Sequence, residues 1–344
     1  MVLFDMRHVN VPVFIPHLGC PNQCVFCNQR SISEHQDFSE ESVRDEIEQV
    51  LSTLHPEDEA EIAFFGGSFT GIERDLMCRL LDLAQAYVKA GRVQSIRLST
   101  RPDYINEEIL SILARYSVRT IELGLQSMDD AVLTACRRGH TAEQAEKACR
   151  LIVKAGFSLV GQMMIGLPGA DSDSEIKTAY KICELGASAV RIYPTVVFYD
   201  TPLCEMAQHG QYAPLTVEEA VERTAPVLQI FRARALPCIR VGLCATESLT
   251  SPDAVYAGPN HPALGEMILG ECLYRKVKEK IRKEGLAGQS IILKVPQKEL
   301  SATVGQHRRN IEKLQRETGV TVHRVVACES LEECCVLPHS QKTV

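Results

Sequence analysis

Three thiols stand within eight residues of one another in HLGCPNQCVFCNQRS, residues 17–31: Cys20, Cys24 and Cys27. Thiolate sulfur binds zinc and iron–sulfur clusters. Structural zinc takes four ligands in a closed tetrahedron, usually from two CxxC-like halves, so a zinc site here requires His17 or His35 to complete it. A 4Fe–4S cluster held by three thiols leaves one iron open, and an open iron can bind and reduce a small molecule. The spacing CxxxCxxC, with Phe26 directly before the third thiol, points to the cluster rather than to zinc.

Further polar or backbone-exposing residues follow at intervals. In FFGGSFTG, Gly66 and Gly67 let backbone groups approach a ligand closely, with Ser68 beside them; the alternative is a tight turn. No GK[ST] follows, which disfavours a phosphate-cradling loop. GQMMIGLPG carries Gln162 and Gly166 at the end of an apolar run, where Gly and Pro also serve simply to stop a buried strand. In RRGHT, residues 137–141, Arg138 offers a fixed fork of donors for a carboxylate. Otherwise it is a solvated arginine before a helix capped at or near Thr141.

The elements that must position these residues are short apolar runs alternating with amphipathic stretches. Candidate strands lie at 11–16, 61–66, 95–100, 119–125, 159–166 and 189–197, and helical patterns at about 39–54, 73–90, 107–116, 128–155 and 173–185. Six strands each followed by a helix predict an α/β fold with a parallel sheet, since every crossover lays a helix on a face. Period alone leaves open whether the sheet is an open doubly wound layer or a full or partial barrel. In either form the loops after the strands build the site. Five successive strand ends carry notable residues: Cys20, Gly66-Gly67-Ser68, Ser99-Thr100-Arg101, Gln126 and Gly166-Leu167-Pro168-Gly169.

The composition suits such an enzyme-sized domain. In 344 residues, 45% are hydrophobic and 24% charged, enough to bury a large core. Fourteen cysteines, irregularly spaced, are too sparse for a disulfide scaffold. Asp5, Arg7, His8 and two prolines fall within residues 1–19, where an export signal would need an apolar run, so a reducing cytoplasmic setting is expected. No apolar run reaches the roughly 18 residues of a membrane helix, and no membrane partner is expected.

Residues 11 to about 235 resemble the radical S-adenosylmethionine (SAM) superfamily, and in particular the radical SAM domain of the Elongator catalytic subunit. CxxxCxxC, TIELGLQSMDDAVL, RRGHT, AGF, MMIGLPG, RIYPTVVFYDTPL and QYAPLTVEEAV carry the resemblance. It implies a partial (β/α)6 parallel barrel, with Cys20, Cys24 and Cys27 holding a 4Fe–4S cluster. SAM chelates the open iron, one electron cleaves its sulfonium, and a 5′-deoxyadenosyl radical abstracts hydrogen from substrate. By wider similarity to oxygen-independent coproporphyrinogen oxidases, Phe26, Gly66, Gly67, Ser68, Gln126, Arg138, Gln162 and Gly166 are implied SAM contacts. Ser99 stands where that group has an acidic ribose ligand. Tyr193, in RIYPTVVFYDTPL, is a candidate catalytic residue. The Elongator pattern departs in two respects: its cysteines are more widely spaced, and its acetyltransferase domain is absent here. An electron donor such as flavodoxin or ferredoxin is implied as a partner.

The rest of the chain differs in charge. From Arg275 to Arg324, thirteen Lys or Arg oppose five Glu, a local net of +8 in a chain of net −7. Residues 285–344 form the expected small basic α+β domain, after a barrel core at 1–235 and a barrel-capping extension at 236–284. SIILKVPQKELSATVGQHRRNIEKLQRETGVTVHRV predicts strand, helix, turn, helix, strand, and resembles a KH-type RNA-binding unit. Gly305-Gln306-His307-Arg308 stands in the position of its GxxG loop without the second glycine. Arg308, Arg309 and Lys313 are candidate phosphate contacts for RNA, with tRNA the expected class; the alternative is a basic cap that touches no nucleic acid. In AGPNHPALGE, residues 257–266, a rigid loop groups His261, Asn260 and Glu266, with His261 a candidate proton donor or else part of a structural turn. Cys238, Cys244, Cys204 and Cys272 read as core thiols rather than a second cluster, and Cys334 and Cys335 as part of a frayed acidic tail. The expected function is radical SAM modification of RNA. The alternatives are a small-molecule enzyme of the coproporphyrinogen oxidase type and a non-catalytic iron–sulfur RNA-binding or redox-sensing protein.

Overall fold

The computed structural model describes residues 8–15, 20, 24–27, 39–55, 57–243, 253–331 and 333–339. It divides into two compact units, Met1–Thr216 with Ile230–Asn260, and Val217–Gln229 with His261–Val344.

The first unit is built on strands β1 (His8–Ile15), β2 (Glu59–Gly66), β3 (Ser95–Thr100), β4 (Val118–Gln126), β5 (Ser158–Ile165), β6 (Ala189–Pro194) and β8 (Cys238–Val241). They form one sheet in the order β1-β2-β3-β4-β5-β6-β8, every neighbouring pair parallel. It is the curled half-barrel expected, with one strand more than the six read from the sequence. The seventh, CIRV, is four residues long and only partly buried, so it lacks the apolar run that marks the others. Residues 195–197 also leave the sixth strand: β7 (Val197–Phe198) pairs antiparallel with β9 (Val255–Ala257) instead.

Helices α1 (Glu40–Leu51), α2 (Arg74–Lys89), α3 (Glu107–Leu113), α4 (Asp130–Ala135), α5 (Ala142–Lys154), α6 (Ser172–Glu184) and α7 (Pro202–Gln208) connect the strands. In α2, Met77, Leu80, Leu81 and Ala84 recur at helical spacing and are all buried. The helix expected over 128–155 is in fact two. Arg137 (φ 52°) and Gly139 (φ 76°) turn the chain after α4, and a capping box between Thr141 and Gln144 restarts it as α5. Periodicity is the same on both sides of the break, which the Thr141 cap read from the sequence marks on one side and the backbone turn on the other.

The half-barrel carries buried charges laid across its strands. Glu61 on β2 accepts from Arg97 Nε (2.6 Å) and pairs with His8 Nε2 (2.7 Å). Arg97 on β3 reaches Glu122 on β4 (2.8 Å), which also takes Arg191 from β6 (2.9 Å). The side chains of Glu61 and Glu122 are 3% and 2% exposed and those of both arginines 11%, so each charge depends on its partner for what water would supply.

In the second unit, β10 (Ser290–Pro296) pairs parallel with β11 (Thr321–Cys328) and antiparallel with β12 (Cys335–Pro338). The helix–turn–helix of α10 (Leu300–Val304) and α11 (Arg309–Thr318) joins β10 to β11, as read from the sequence. Helix α9 (Leu264–Lys283), assigned by sequence to a barrel-capping segment, contributes Tyr274, Val277 and Ile281 to this unit's core beside Ile291, Leu293, Ile311 and Leu314. Residues 334 and 335 are not frayed: Cys334 is 2% exposed within that core and Cys335 begins β12. Helix α8 (Val217–Ala233) is divided between the two units after Gln229.

Two substitutions test these contacts. At Gly66 (φ +102°) an added Cβ falls 2.4 Å from the Ile15 carbonyl oxygen, whereas at Gly91 (φ +68°) it meets open space. Gly66→Ala is therefore expected to cost about 1–3 kcal/mol and Gly91→Ala about 1 kcal/mol; equal urea midpoints would contradict the close approach. Glu122→Gln removes the buried carboxylate partner of Arg191 and one of the two held by Arg97, with an expected loss of about 3–5 kcal/mol in chemical denaturation.

Candidate functional site

The cysteine loop is fixed at its centre. Val25 donates its N–H to the Cys136 carbonyl (3.2 Å) and accepts from Leu203 N–H (2.9 Å). Its side chain packs with Val132, Cys136, Leu167, Val197 and Leu203, and Phe26 lies against the same cluster. Cys27 N–H closes a turn onto the Cys24 carbonyl (3.0 Å). The loop is thus anchored to the segments after β4 and β6 between its second and third thiols.

Each of the first two thiols has polar neighbours from another strand end. Cys20 Sγ lies 3.3 Å from Ser68 Oγ, and Ser68 is 1% exposed. Cys24, 6% exposed, receives Arg138 Nη1 (3.2 Å) and Arg101 Nη1 (3.6 Å). Both guanidiniums direct an N–H edge at this sulfur. Among the described residues no three Cys, His, Asp or Glu side chains already stand as a metal-binding group. Neighbouring Cys136 is of a different kind, because burial pushes its thiol up to about 12.

Gly66 sits where the chain approaches the Ile15 carbonyl, and Gly67 donates its N–H to that oxygen (3.1 Å). Gln126 ends β4 at a register break against β5, in the left-handed region (φ 65°). It is buried, with no partner for its Oε1. Such strain in a non-glycine residue is typical of binding sites. Arg138 is not a solvated arginine. It is 5% exposed, spends Nη2 on the Gly124 carbonyl (2.6 Å) and Nη1 on Cys24, and retains only a buried, unpartnered Nε.

Ser99 is half-buried on β3 opposite Glu122, and Gln162 half-buried on β5 between Gly124 and Arg191. Gly166 (φ 77°) begins the turn after β5. Its N–H goes to buried Glu175 Oε1 (2.7 Å) and its carbonyl accepts from Tyr212 (2.6 Å). Tyr193 lies 3.5 Å from Arg191 Nη1, and burial raises its phenol pKa. His261 belongs to the second unit, where its Nδ1 accepts the Ala263 N–H (3.1 Å) at the start of α9. Glu266, in the first turn of α9, accepts from Ser301 (2.9 Å). Cys204 and Cys272 are buried, and Cys238, half-buried in β8, is pushed up to about 11 by burial. His17, His35 and Cys244 lie outside the described residues.

The sequence reading gave no role to Arg101 or His140. His140 is 5% exposed, and its Nδ1 faces the Thr141 carbonyl (3.3 Å), which can only accept. Nδ1 therefore carries the proton, and the buried Nε2, which has no partner, is a bare acceptor. Gln126 Oε1, Arg138 Nε and His140 Nε2 are three buried polar atoms of the strand-end loops awaiting partners. Together with three thiols on one loop and cations at Cys24, they fit an iron–sulfur cluster with a small polar cofactor.

Burial, and next the Arg138 charge, lower the His140 pKa from 6.5 to about 4. The unfolded chain thus binds a proton that the folded chain refuses. The stabilisation from neutral His140 is complete above pH 6.5 and is lost as pH falls towards 4, by about 3 kcal/mol. Urea midpoints measured across that window should fall less steeply in His140→Gln than in the wild type.

Residues 14–181 match the profile of the radical SAM superfamily, and residues 187–273 that of the radical SAM C-terminal domain. A tRNA uridine(34) acetyltransferase of Methanocaldococcus jannaschii is 31% identical over 198 residues, 51% of this chain and 36% of that protein. Elongator complex protein 3 of Saccharomyces cerevisiae is 26% identical over 55% of this chain and 38% of its own length. The chain therefore spans little more than a third of these relatives. An uncharacterised M. jannaschii protein is 27% identical over 82% of this chain and 87% of its own. Among solved structures, archaeal Elp3 of Methanocaldococcus infernus with an N-terminal deletion shares the fold at TM-score 0.61 and 24% identity, over 82% of this chain and 64% of that one. The chain belongs to the radical SAM superfamily, enzymes whose cofactors are a 4Fe–4S cluster and SAM.

Proposed function

We propose that this enzyme modifies RNA, with a tRNA as the class of substrate, and that Cys20, Cys24 and Cys27 hold its cluster. The observation that carries the RNA assignment is the similarity of 198 of its residues to a tRNA uridine(34) acetyltransferase, joined to a basic second unit. The acetyl transfer of those relatives is not carried over, since the chain matches only a third of their length.

When bound, the cluster and SAM supply reductive cleavage of a sulfonium and hydrogen abstraction. The chain's own residues position both. Ser68 steadies Cys20, Arg138 and Arg101 steady Cys24, and Val25 ties the loop to its two neighbours. Gly66 and Gly67, which pack on the Ile15 carbonyl, are proposed SAM contacts, Arg138 Nε remains for a carboxylate, and Gln126 and His140 offer acceptors. Phe26, Ser99, Gln162 and Gly166 complete the proposed SAM contacts, and Tyr193 is the proposed catalytic residue. His261 is a proton donor in this reading. Electrons come from a low-potential carrier such as flavodoxin or ferredoxin.

The turn of the second unit suits phosphate. Gly305 (φ 72°), His307 (φ 50°) and Arg308 (φ 62°) hold it, and Arg308 and Arg309 are exposed at the first turn of α11. Lys313, expected beside them, is committed elsewhere: its Nζ pairs with Glu271 (3.0 Å) and lies 4.5 Å from the Tyr274 ring centroid. The deciding experiment is 5′-deoxyadenosine formation by anaerobically reconstituted protein with SAM and a strong reductant, with and without bulk small RNA, and Cys24→Ala as blank. Stimulation by RNA is expected; cleavage indifferent to RNA would shift the substrate to a small molecule, and none despite an intact cluster would favour a sensor. Replacing Arg308 and Arg309 with Ala should flatten the salt dependence of RNA binding by about 0.7 per lost single-strand contact. Lys313→Ala should leave that slope unchanged.

A further inference from the structure

Arg101 is the second guanidinium at Cys24, and its surroundings differ from those of Arg138. It follows β3 directly and is 4% exposed. Nε and Nη2 grip the two carboxylate oxygens of Asp103 at 3.0 Å each, Nη2 also donates to the Arg138 carbonyl, and Nη1 faces Cys24 Sγ at 3.6 Å. A bidentate carboxylate fixes the plane of a guanidinium. Asp103 therefore sets which edge of Arg101 meets the sulfur, and the bond to the Arg138 backbone sets the spacing between the two cations.

We propose that Arg101, clamped by Asp103, is a positioning residue that sets the electron affinity of the cluster at Cys24. The inference rests on the reading that Cys24 is a cluster ligand. Reduction takes one electron from an external low-potential donor, moves no proton, and adds one negative charge beside this sulfur. A fixed positive charge and an N–H directed at a ligating sulfur both favour the more negative state. Asp103 opposes them with its own charge, so the two residues act on the same equilibrium with opposite signs. A pair that served packing alone would have no such sign.

The test is an anaerobic redox titration of the full reconstituted chain, followed by electron paramagnetic resonance after iron and sulfide have been counted. Arg101→Gln should make one-electron reduction at least tenfold less favourable, a midpoint about 59 mV more negative. Asp103→Asn, which leaves the cation uncompensated, should move the midpoint the other way. Arg101→Lys keeps the charge and should stay within about threefold of wild type by the same scale. Unchanged potential in Arg101→Gln, or shifts of one sign in both Arg101→Gln and Asp103→Asn, would overturn the inference. Should Arg101→Gln not assemble, Asp103→Asn decides, and a nil or negative shift there overturns it. Wild-type and Cys24→Ala proteins that take up equal iron and sulfide would instead defeat the cysteine assignment, and the inference with it.

Discussion

Glu122 holds the half-barrel together electrostatically. From β4 it binds Arg97 on one neighbouring strand and Arg191 two strands away, and Arg97 passes the interaction on to Glu61. Buried charge of this kind adds little net stability against an apolar core, because desolvation consumes most of the attraction. What it provides here is a polar lining that tolerates no slip in register. Moving any of these strands by one residue would turn a charge to the opposite face and strand its partner. The strand ends, where the cysteines and glycines stand, inherit their alignment from that lining.

Above it, the site is assembled by loops that borrow one another's backbone groups. Val25 takes its two bonds from the segments after β4 and β6, Arg138 secures its own strand at Gly124, and Arg101 ties the β3 loop to the Arg138 carbonyl. Cys20 and residues 24–27 are thus held by the three loops around them, an arrangement that keeps reactive groups in place.

Much of this was legible from the sequence, for a physical reason. Buried parallel strands need apolar runs and crossovers need amphipathic helices, so the six long strands and most helices announce themselves. The thiol triplet is local and needs no tertiary knowledge. Three features escaped because their signals are not periodic. Strand β8 is too short and too exposed; the break between α4 and α5 lies in the φ angles of Arg137 and Gly139; and Arg101 meets Cys24 across 77 positions of chain. A residue whose role is a tertiary contact looks, in sequence, like any other arginine near a proline.

The second unit shows the same limit for charge. Counting Lys and Arg identified a basic segment but could not separate charges that face solvent from charges already paired. Lys313 is occupied by Glu271 and Tyr274, while Lys278 pairs with Glu317. Arg309 has only a long, exposed pairing with Glu218 at 3.6 Å, and exposed pairs of that kind contribute little. Arg308 and Arg309 remain exposed at the Gly305–Arg308 turn and the start of α11. It is the backbone geometry of that turn, more than the net charge of the segment, that makes this unit a candidate for nucleic acid.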